Sequence, residues 1–252
     1  VVGEQAQILF DDAQEMLRKI VDENWLEARA RFGIFPANQA GDDIVVFDSE
    51  GEEVTRFESI RQQNIKRSAN LALSDYLAPA GQTDHLGGFC VSVGFGVKER
   101  AEAFVQEQDD YSAIMLKALA DRLAEAFAEH LHERIRKEFW GYGAEENLNN
   151  ESLISEQYQG IRPAPGYPAC PDHSQKEKLF RLLDVQNEIG VELTESMAMM
   201  PAASVSGFYF AHPEAKYFGI GKITVEQLED YAGRREWPVE KARKWLVSNL
   251  EE

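Results

Sequence analysis

Cysteine is scarce in this sequence. The 252 residues contain only Cys90 and Cys170, which are far apart and have no C-x-x-C spacing. The pattern therefore predicts neither a disulfide framework nor a structural zinc site. Such a chain suits a reducing compartment, and we expect it in the cytoplasm.

Targeting signals and long apolar runs are also missing. No stretch approaches the roughly 20 apolar residues of a membrane span, and the first residues lack a basic region followed by an apolar one. We therefore expect no membrane partner. The sequence does not begin with methionine, so we expect a fragment of a longer chain or a processed product.

Basic residues are a minority. The chain has 26 of them against 44 acidic residues, which gives a formal net charge of −18. Because nucleic acids and anionic membranes are polyanions, this charge disfavours both as partners. Cationic or neutral partners fit better, and solubility is the simplest explanation of the acidic surface.

Apolar spacing in the first part of the chain predicts both helices and strands. A helix is expected from Gln5 to about Glu23, where apolar residues recur at helical spacing. A strand at 31–38 and a hairpin at 42–51 follow. Two apolar segments, at 71–77 and 88–94, are expected in the same sheet.

The strongest periodicity runs from about Tyr111 to Phe139. Apolar residues fall there at every fourth position with no internal glycine or proline, which predicts a long helix. Further helices are expected at 150–157, 175–189, 225–231 and 239–246, strands at 191–194, 204–210 and 217–223, and an extended segment at 162–171. The sum is a single α+β domain with a mainly antiparallel twisted sheet flanked by helices.

The extended segment is the most unusual local feature. Four prolines within residues 162–171 forbid a helix, and Gly166 allows a turn or a close approach to a ligand. Backbone groups at Ala164 and Tyr167 could hydrogen-bond a ligand edge such as adenine, and Arg162 could grip a carboxylate. The alternative is a rigid connecting loop.

The long helix carries an acidic row, Asp121, Glu125 and Glu129, opposite its apolar stripe. Such a row is typical of a solvated surface, although a cationic ligand facing Glu125 would be favoured. On the same helix His130 and His132 point to different sides, which makes them poor joint metal ligands. We predict no metal site.

No catalytic nucleophile is indicated. Cys170 lies near His173 in the sequence, but the surrounding prolines favour a structural role for the cysteine. We therefore predict no catalytic residue in this chain.

The string R-P-A-P-G-Y-P-A-C-P-D-H at 162–173 closely resembles the signature of the reactivation domain of cobalamin-dependent methionine synthase. Further matching strings extend the resemblance over nearly the whole chain: GIFPAN at 33–38, DDY at 109–111, ALADRLAEA at 118–126, LHER at 131–134, LTES at 193–196, ASVSG at 203–207 and HP at 212–213.

The resemblance implies that S-adenosylmethionine lies along residues 162–167. Arg162 would hold the methionine moiety, and the backbone at Ala164 would contact the adenine. Gly166 and Tyr167 complete this segment. The family's tyrosine in a later strand corresponds to Tyr217.

The resemblance implies further site residues, and it also shows two departures. Glu125 and Glu156 correspond to acids near the ligand, and His173 to a position near the corrin-facing surface. Phe218 stands where relatives often carry a second tyrosine, which removes that hydroxyl. We also expect the chain, 1–252, to begin inside the domain and to lack an N-terminal arm whose aspartate binds the ligand's amino group. That loss would weaken binding by roughly 1.5–3 kcal/mol.

By resemblance, the chain is part of a methyltransferase. It would supply the methyl group of S-adenosylmethionine to cobalamin carried by a neighbouring domain, after an electron arrives from a flavodoxin or similar reductase. The isolated chain, expected to be monomeric, would not make methionine. The alternatives are a noncatalytic acidic interaction module and a free-standing activator protein.

Overall fold

The computed structural model describes residues 2–63 and 68–251. The chain divides into two compact units. Unit 1 comprises residues 1–31, 90–131 and 185–205, and unit 2 comprises 32–89, 132–184 and 206–252. Several of the boundaries fall inside strands or a helix.

The helices are α1 Val2–Asp22, α2 Val97–Gln106, α3 Asp110–Arg134, α4 Asn150–Ile154, α5 Gln175–Leu183, α6 Val185–Ile189, α7 Val225–Arg234 and α8 Val239–Leu246. The strands are β1 Glu27–Ala40, β2 Asp43–Phe47, β3 Glu53–Glu58, β4 His85–Phe95, β5 Glu192–Leu193, β6 Met199–Met200 and β7 Ser204–Tyr209. The predicted α+β class is confirmed.

The main sheet has five strands in the order β3-β2-β1-β4-β7. The β1–β2 and β2–β3 pairs are antiparallel, and the predicted hairpin is the β2–β3 connection. Strand β4 is buried over Leu86–Gly94, as its continuous apolar sequence predicts. Strands β5 and β6 form a separate two-stranded sheet.

The long helix is confirmed, and alanines occupy the middle of its most buried line. In unit 1, Ala120 and Ala124 are fully buried and pack with Val93 and Ala203. The neighbouring Leu123 is only half-buried. Periodicity identified the helix and its apolar side, whereas a close approach to the sheet selects small side chains along the innermost line.

Helix α3 continues into one π-helical turn, Ile135–Phe139. The Trp140 amide donates to the Ile135 carbonyl oxygen at 2.9 Å, five residues back. Such wide turns within helices are frequent at functional sites. This one carries Arg136, which is completely buried.

Two predicted strands are wrong. Residues 71–77 contain a short 3₁₀ helix, Leu73–Tyr76. Residues 217–223 run without strand structure apart from a bridge at Ile223, because Ile220 and Ile223 pack into an apolar cluster of unit 2 with α7 and α8. Apolar residues show that a segment is buried, but a strand also needs a partner strand.

The predicted helix at 175–189 is two helices. Asp184 has a φ of 52°, and this left-handed residue separates α5 from α6. Gly190 follows α6 with a φ of 73°, which confirms its expected role at a helix end. In the described ranges, no helix combines the length and apolarity needed to cross a membrane.

Candidate functional site

The proline-rich segment lies beside the end of β7 in unit 2. Ile161 and Phe210 exchange both backbone hydrogen bonds at 3.0 Å, and the Phe208 amide donates to the Pro163 carbonyl at 2.9 Å. These bonds hold 161–163 in an extended, strand-like position. The segment is therefore supported by the sheet, although its prolines have no N–H to donate.

After Pro163 the chain closes into a tight turn. The Tyr167 amide donates to the Ala164 carbonyl at 3.2 Å, and the Gly166 amide donates to the Cys170 carbonyl at 2.7 Å. Gly166 has a φ of +94°, which favours glycine. Because the Tyr167 amide lies inside this turn, the exposed group at this position is its ring, with 61% of the residue accessible.

The His173 ring packs directly on Gly166. A Cβ atom at Gly166 would lie 2.0 Å from the ring. The Lys176 Nζ lies 3.2 Å from His173 Nδ1. Burial and the Lys176 charge lower the pKa of His173, against an opposing effect of Asp172, so the imidazole is neutral at neutral pH.

Both the backbone and the guanidinium of Arg162 have partners in the structure. Its backbone N–H donates to Tyr217 Oη at 3.0 Å. Its Nη1 donates to Tyr158 Oη at 3.0 Å and lies 3.4 Å from His132 Nδ1. Burial, with the charges of Arg136 and Arg162, lowers the pKa of His132 well below its ordinary value. Tyr158 and His132 are thus two uncharged partners that orient the guanidinium.

Sequence reasoning missed the residues beneath Arg162. It weighed His132 as a metal ligand, rejected that role, and otherwise used the residue only within the LHER string, and it did not consider Tyr158 or Arg136. One signal was available: His132 lies one helical turn after Ala128, so it falls on the buried side of α3. A histidine on that side needs a polar partner, and the structure supplies Arg162.

Residues 1–236 match a family model described as "Vitamin B12 dependent methionine synthase, activation domain". The chain belongs to this family. A solved structure described as the MetH reactivation domain bound to AdoHcy is similar to this chain, with a TM-score of 0.97 and 50% sequence identity. The match covers 100% of this chain and 79% of that chain. The resemblance drawn from the sequence is confirmed.

The structure brings six of the residues predicted for this family's site together in unit 2. Arg162, Ala164, Gly166 and Tyr167 form the turn, and each end of it touches one further residue. The Tyr217 hydroxyl binds the backbone at its start, and the His173 ring packs at its glycine. The activation domain thus presents one compact constellation from residues up to 55 positions apart.

The other three predicted residues lie in different surroundings. Glu125 is exposed on α3 in unit 1, as the solvated-surface interpretation expects. Glu156 is exposed just after α4. The Phe218 ring packs on the apolar cluster of unit 2, 6.3 Å from the Tyr76 ring centroid. The ligand roles of Glu125, Glu156 and Phe218 stay predictions.

Two cavities lie away from these residues. One of about 690 Å³ in unit 2 is lined by residues including Phe35, Val54 and Lys178. One of about 780 Å³ in unit 1 is lined by residues including Phe95 and Met200. The turn at Arg162 is thus a separate surface feature of the activation domain.

The chain's thiols are structural. Cys90 and Cys170 are both free and buried, and burial raises the pKa of Cys170 to about 12. A thiol with such a pKa is protonated at neutral pH and is a weak nucleophile. Within 2–63 and 68–251, no cluster of three or more histidine, cysteine or acidic side chains could hold a metal ion.

Proposed function

We propose that this chain binds S-adenosylmethionine at the 162–167 turn and presents its methyl group to cobalamin on a neighbouring domain of methionine synthase. The similarity to a MetH reactivation domain bound to AdoHcy carries the proposal. AdoHcy is what S-adenosylmethionine becomes when it gives up its methyl group. A ligand of this shape therefore fits the related domain.

The residues at the turn fit the two ends of such a ligand. A carboxylate suits the Arg162 guanidinium, because the donors of arginine form a fork that matches two carboxylate oxygens. Backbone groups at Ala164 would contact the adenine, and the exposed rings of Tyr167 and Tyr217 would cover it. Gly166 gives the turn its left-handed backbone and leaves room for the His173 ring.

In this proposal the chain's own contribution is positioning. When bound, S-adenosylmethionine supplies an electrophilic methyl group on a sulfonium. Arg162 and Tyr217 hold the turn in one geometry, so the ligand would meet a preorganised surface. Glu156 is proposed to lie near the ligand, and His173 to lie toward the corrin.

The wider setting is also proposed. Residues 1–252 would be one activation domain, in the cytoplasm and monomeric apart from its enzyme partners. The cobalamin-binding domain of the same enzyme and a reductase such as flavodoxin would be those partners. The isolated chain should make no methionine from homocysteine, because none of its sequence resembles the modules that bind homocysteine, folate or cobalamin.

Calorimetric titration with S-adenosylmethionine tests the site. We expect saturable binding by the unmodified chain and a loss of about 10-fold or more in affinity for Arg162→Ala, because a charged hydrogen bond is worth about 1.5–3 kcal/mol. Arg181→Ala is the matched control, since Arg181 lies in the same unit and its side chain is 71% exposed. Its affinity should not change.

A folded chain that binds no S-adenosylmethionine, even at millimolar ligand, would contradict the proposal. The acidic interaction module would then be the better explanation. Equal weakening by Arg162→Ala and Arg181→Ala would keep the ligand but reject this site.

A further inference from the structure

His132 is held on three sides beneath Arg162. It is completely buried. Its ring stacks on Tyr209 with centroids 5.0 Å apart and an interplanar angle of 13°, and it lies nearly perpendicular to the Tyr158 ring at a centroid distance of 5.0 Å. Its Nδ1 lies 3.4 Å from Arg162 Nη1. The ring therefore has little freedom to turn away from the arginine.

Arg136 contacts Tyr158, the other side chain that binds the Arg162 guanidinium. Its guanidinium carbon lies 4.0 Å from the centre of the Tyr158 ring, and its Nε donates to Glu146 at 2.8 Å. The Tyr158 hydroxyl in turn accepts from Arg162. Tyr158 thus joins the two arginines, with one on its ring face and the other at its hydroxyl.

The chemistry assigns the proton on His132. An arginine can only donate, so Nδ1 of His132 accepts and the proton lies on Nε2. The groups that face the ring are Arg136 on its own helix, Arg162 and Tyr158 on the following segments, and Tyr209 on β7. A second proton on the ring would place an N–H donor against Arg162, and the positive charges of Arg136 and Arg162 disfavour a charged imidazole.

We propose that His132 is a positioning residue for ligand binding, which acts with Tyr158 to set the plane of the Arg162 guanidinium. A bidentate carboxylate contact depends on that plane, because the donors of arginine form a rigid fork. This inference rests on the proposed function, in which Arg162 binds the ligand's carboxylate. It predicts that His132 affects the carboxylate end of the ligand alone.

The test compares two ligands by calorimetry: S-adenosylmethionine and its decarboxylated form, which lacks the group that Arg162 would bind. His132→Leu introduces an apolar side chain of similar size and removes the Nδ1 acceptor. We expect it to weaken S-adenosylmethionine binding by about 10-fold, the upper value for one hydrogen bond, and to leave the decarboxylated ligand unaffected. His132→Asn, with an amide oxygen near the Nδ1 position, should recover most of the affinity.

His130→Leu is the matched control, because His130 is exposed two positions earlier on the same helix. It should bind both ligands as the unmodified chain does. If His132→Leu is unfolded by circular dichroism, Tyr158→Phe decides instead. That variant keeps the ring over Arg136, removes the hydroxyl that Arg162 uses, and should show the same dependence on the carboxylate.

Two outcomes would overturn the inference while leaving the proposed function intact. One is unchanged S-adenosylmethionine affinity in folded His132→Leu. The other is equal weakening for both ligands, which indicates general damage to the site. If the unmodified chain binds neither ligand, the proposed function itself fails.

Discussion

At the residue scale, Gly166 and His173 show how one backbone position shapes the proposed site. Gly166 combines a left-handed φ with a ring packed where a side chain would begin. Either condition alone favours glycine, for different reasons. The left-handed φ strains the backbone of any residue that has a side chain, whereas the packed ring disfavours a side chain only because His173 occupies that space.

Gly166→Ala separates the two effects when it is compared with Gly81→Ala. Gly81 has a similar φ of +92° but nothing within 4 Å of the added carbon. We expect Gly81→Ala to lower the free energy of unfolding by about 1 kcal/mol. Gly166→Ala should cost about 1–3 kcal/mol more, because His173 must move. Urea unfolding measures both.

Adding His173→Ala to Gly166→Ala should return the loss to the value for Gly81→Ala. If the second substitution gives no recovery, the contact with His173 is not the cause. Gly166→Ala should also weaken S-adenosylmethionine binding, whereas Gly81→Ala should not.

At the element scale, a buried ionic cluster joins β3, α5 and α7 in unit 2. Glu58 of β3 accepts from Lys178 of α5 at 2.7 Å and from Arg235, which follows α7, at 3.0 Å. Tyr231 donates to Asp172 at 2.7 Å beside this cluster. The cluster therefore fixes α5, the helix that follows the segment proposed to bind the ligand.

Glu58→Gln should lower the free energy of unfolding by about 3–5 kcal/mol, because it leaves Arg235 and Lys178 without their buried carboxylate. Glu53→Gln, on the same strand, is the control. Its pair with Arg56 is exposed, so the loss should be within about 1 kcal/mol. Thermal or urea unfolding measures the difference, and equal losses would show that the cluster adds no stability.

We also predict that the contribution of Glu58 to the free energy of unfolding depends on pH. Burial acts to raise the Glu58 pKa, but Lys178 and Arg235 outweigh it and hold the pKa below its usual value of 4.5. The carboxylate therefore stabilises the fold above about pH 4.5, and this contribution is lost as pH falls through the folded-state pKa. Glu58→Gln should lose less stability than the unmodified chain over that acid range.

At the scale of the whole molecule, the net charge of −18 opposes folding at neutral pH. Buried pairs such as Glu58 with Arg235 are screened little by salt, whereas repulsion among exposed acids is screened strongly. The balance of these two effects determines how the fold responds to ionic strength.

Raising sodium chloride from 20 to 300 mM at pH 7 should raise the Tm by roughly a few degrees, because the Debye length shortens to well under 10 Å. The control is the same change near the pI of about 4.7, where the net charge is small and the gain should shrink. A Tm that falls with salt at pH 7 would show that attractive surface pairs outweigh the repulsion.

Local sequence patterns predicted much of the fold. Helical periodicity identified α1, α3, α7 and α8, and the prolines with Gly166 identified an extended segment that turns. These features depend on neighbours in the chain, whose preferences are visible in the sequence. The string at 162–173 also identified the family, because its residue order is specific.

Tertiary packing decided what local patterns left open. The apolar residues 217–223 pack against helices instead of pairing as a strand, and alanines occupy the middle of the most buried line of α3. The neutral His132 contacts Arg162 because an α3 residue, a loop arginine and a β7 tyrosine are packed together from distant parts of the chain. The sequence by itself determined the helices α1, α3, α7 and α8, the turn at Gly166 and the family. Only the tertiary structure decided which side chain supports Arg162, because burial and charge at a site depend on all the segments that surround it.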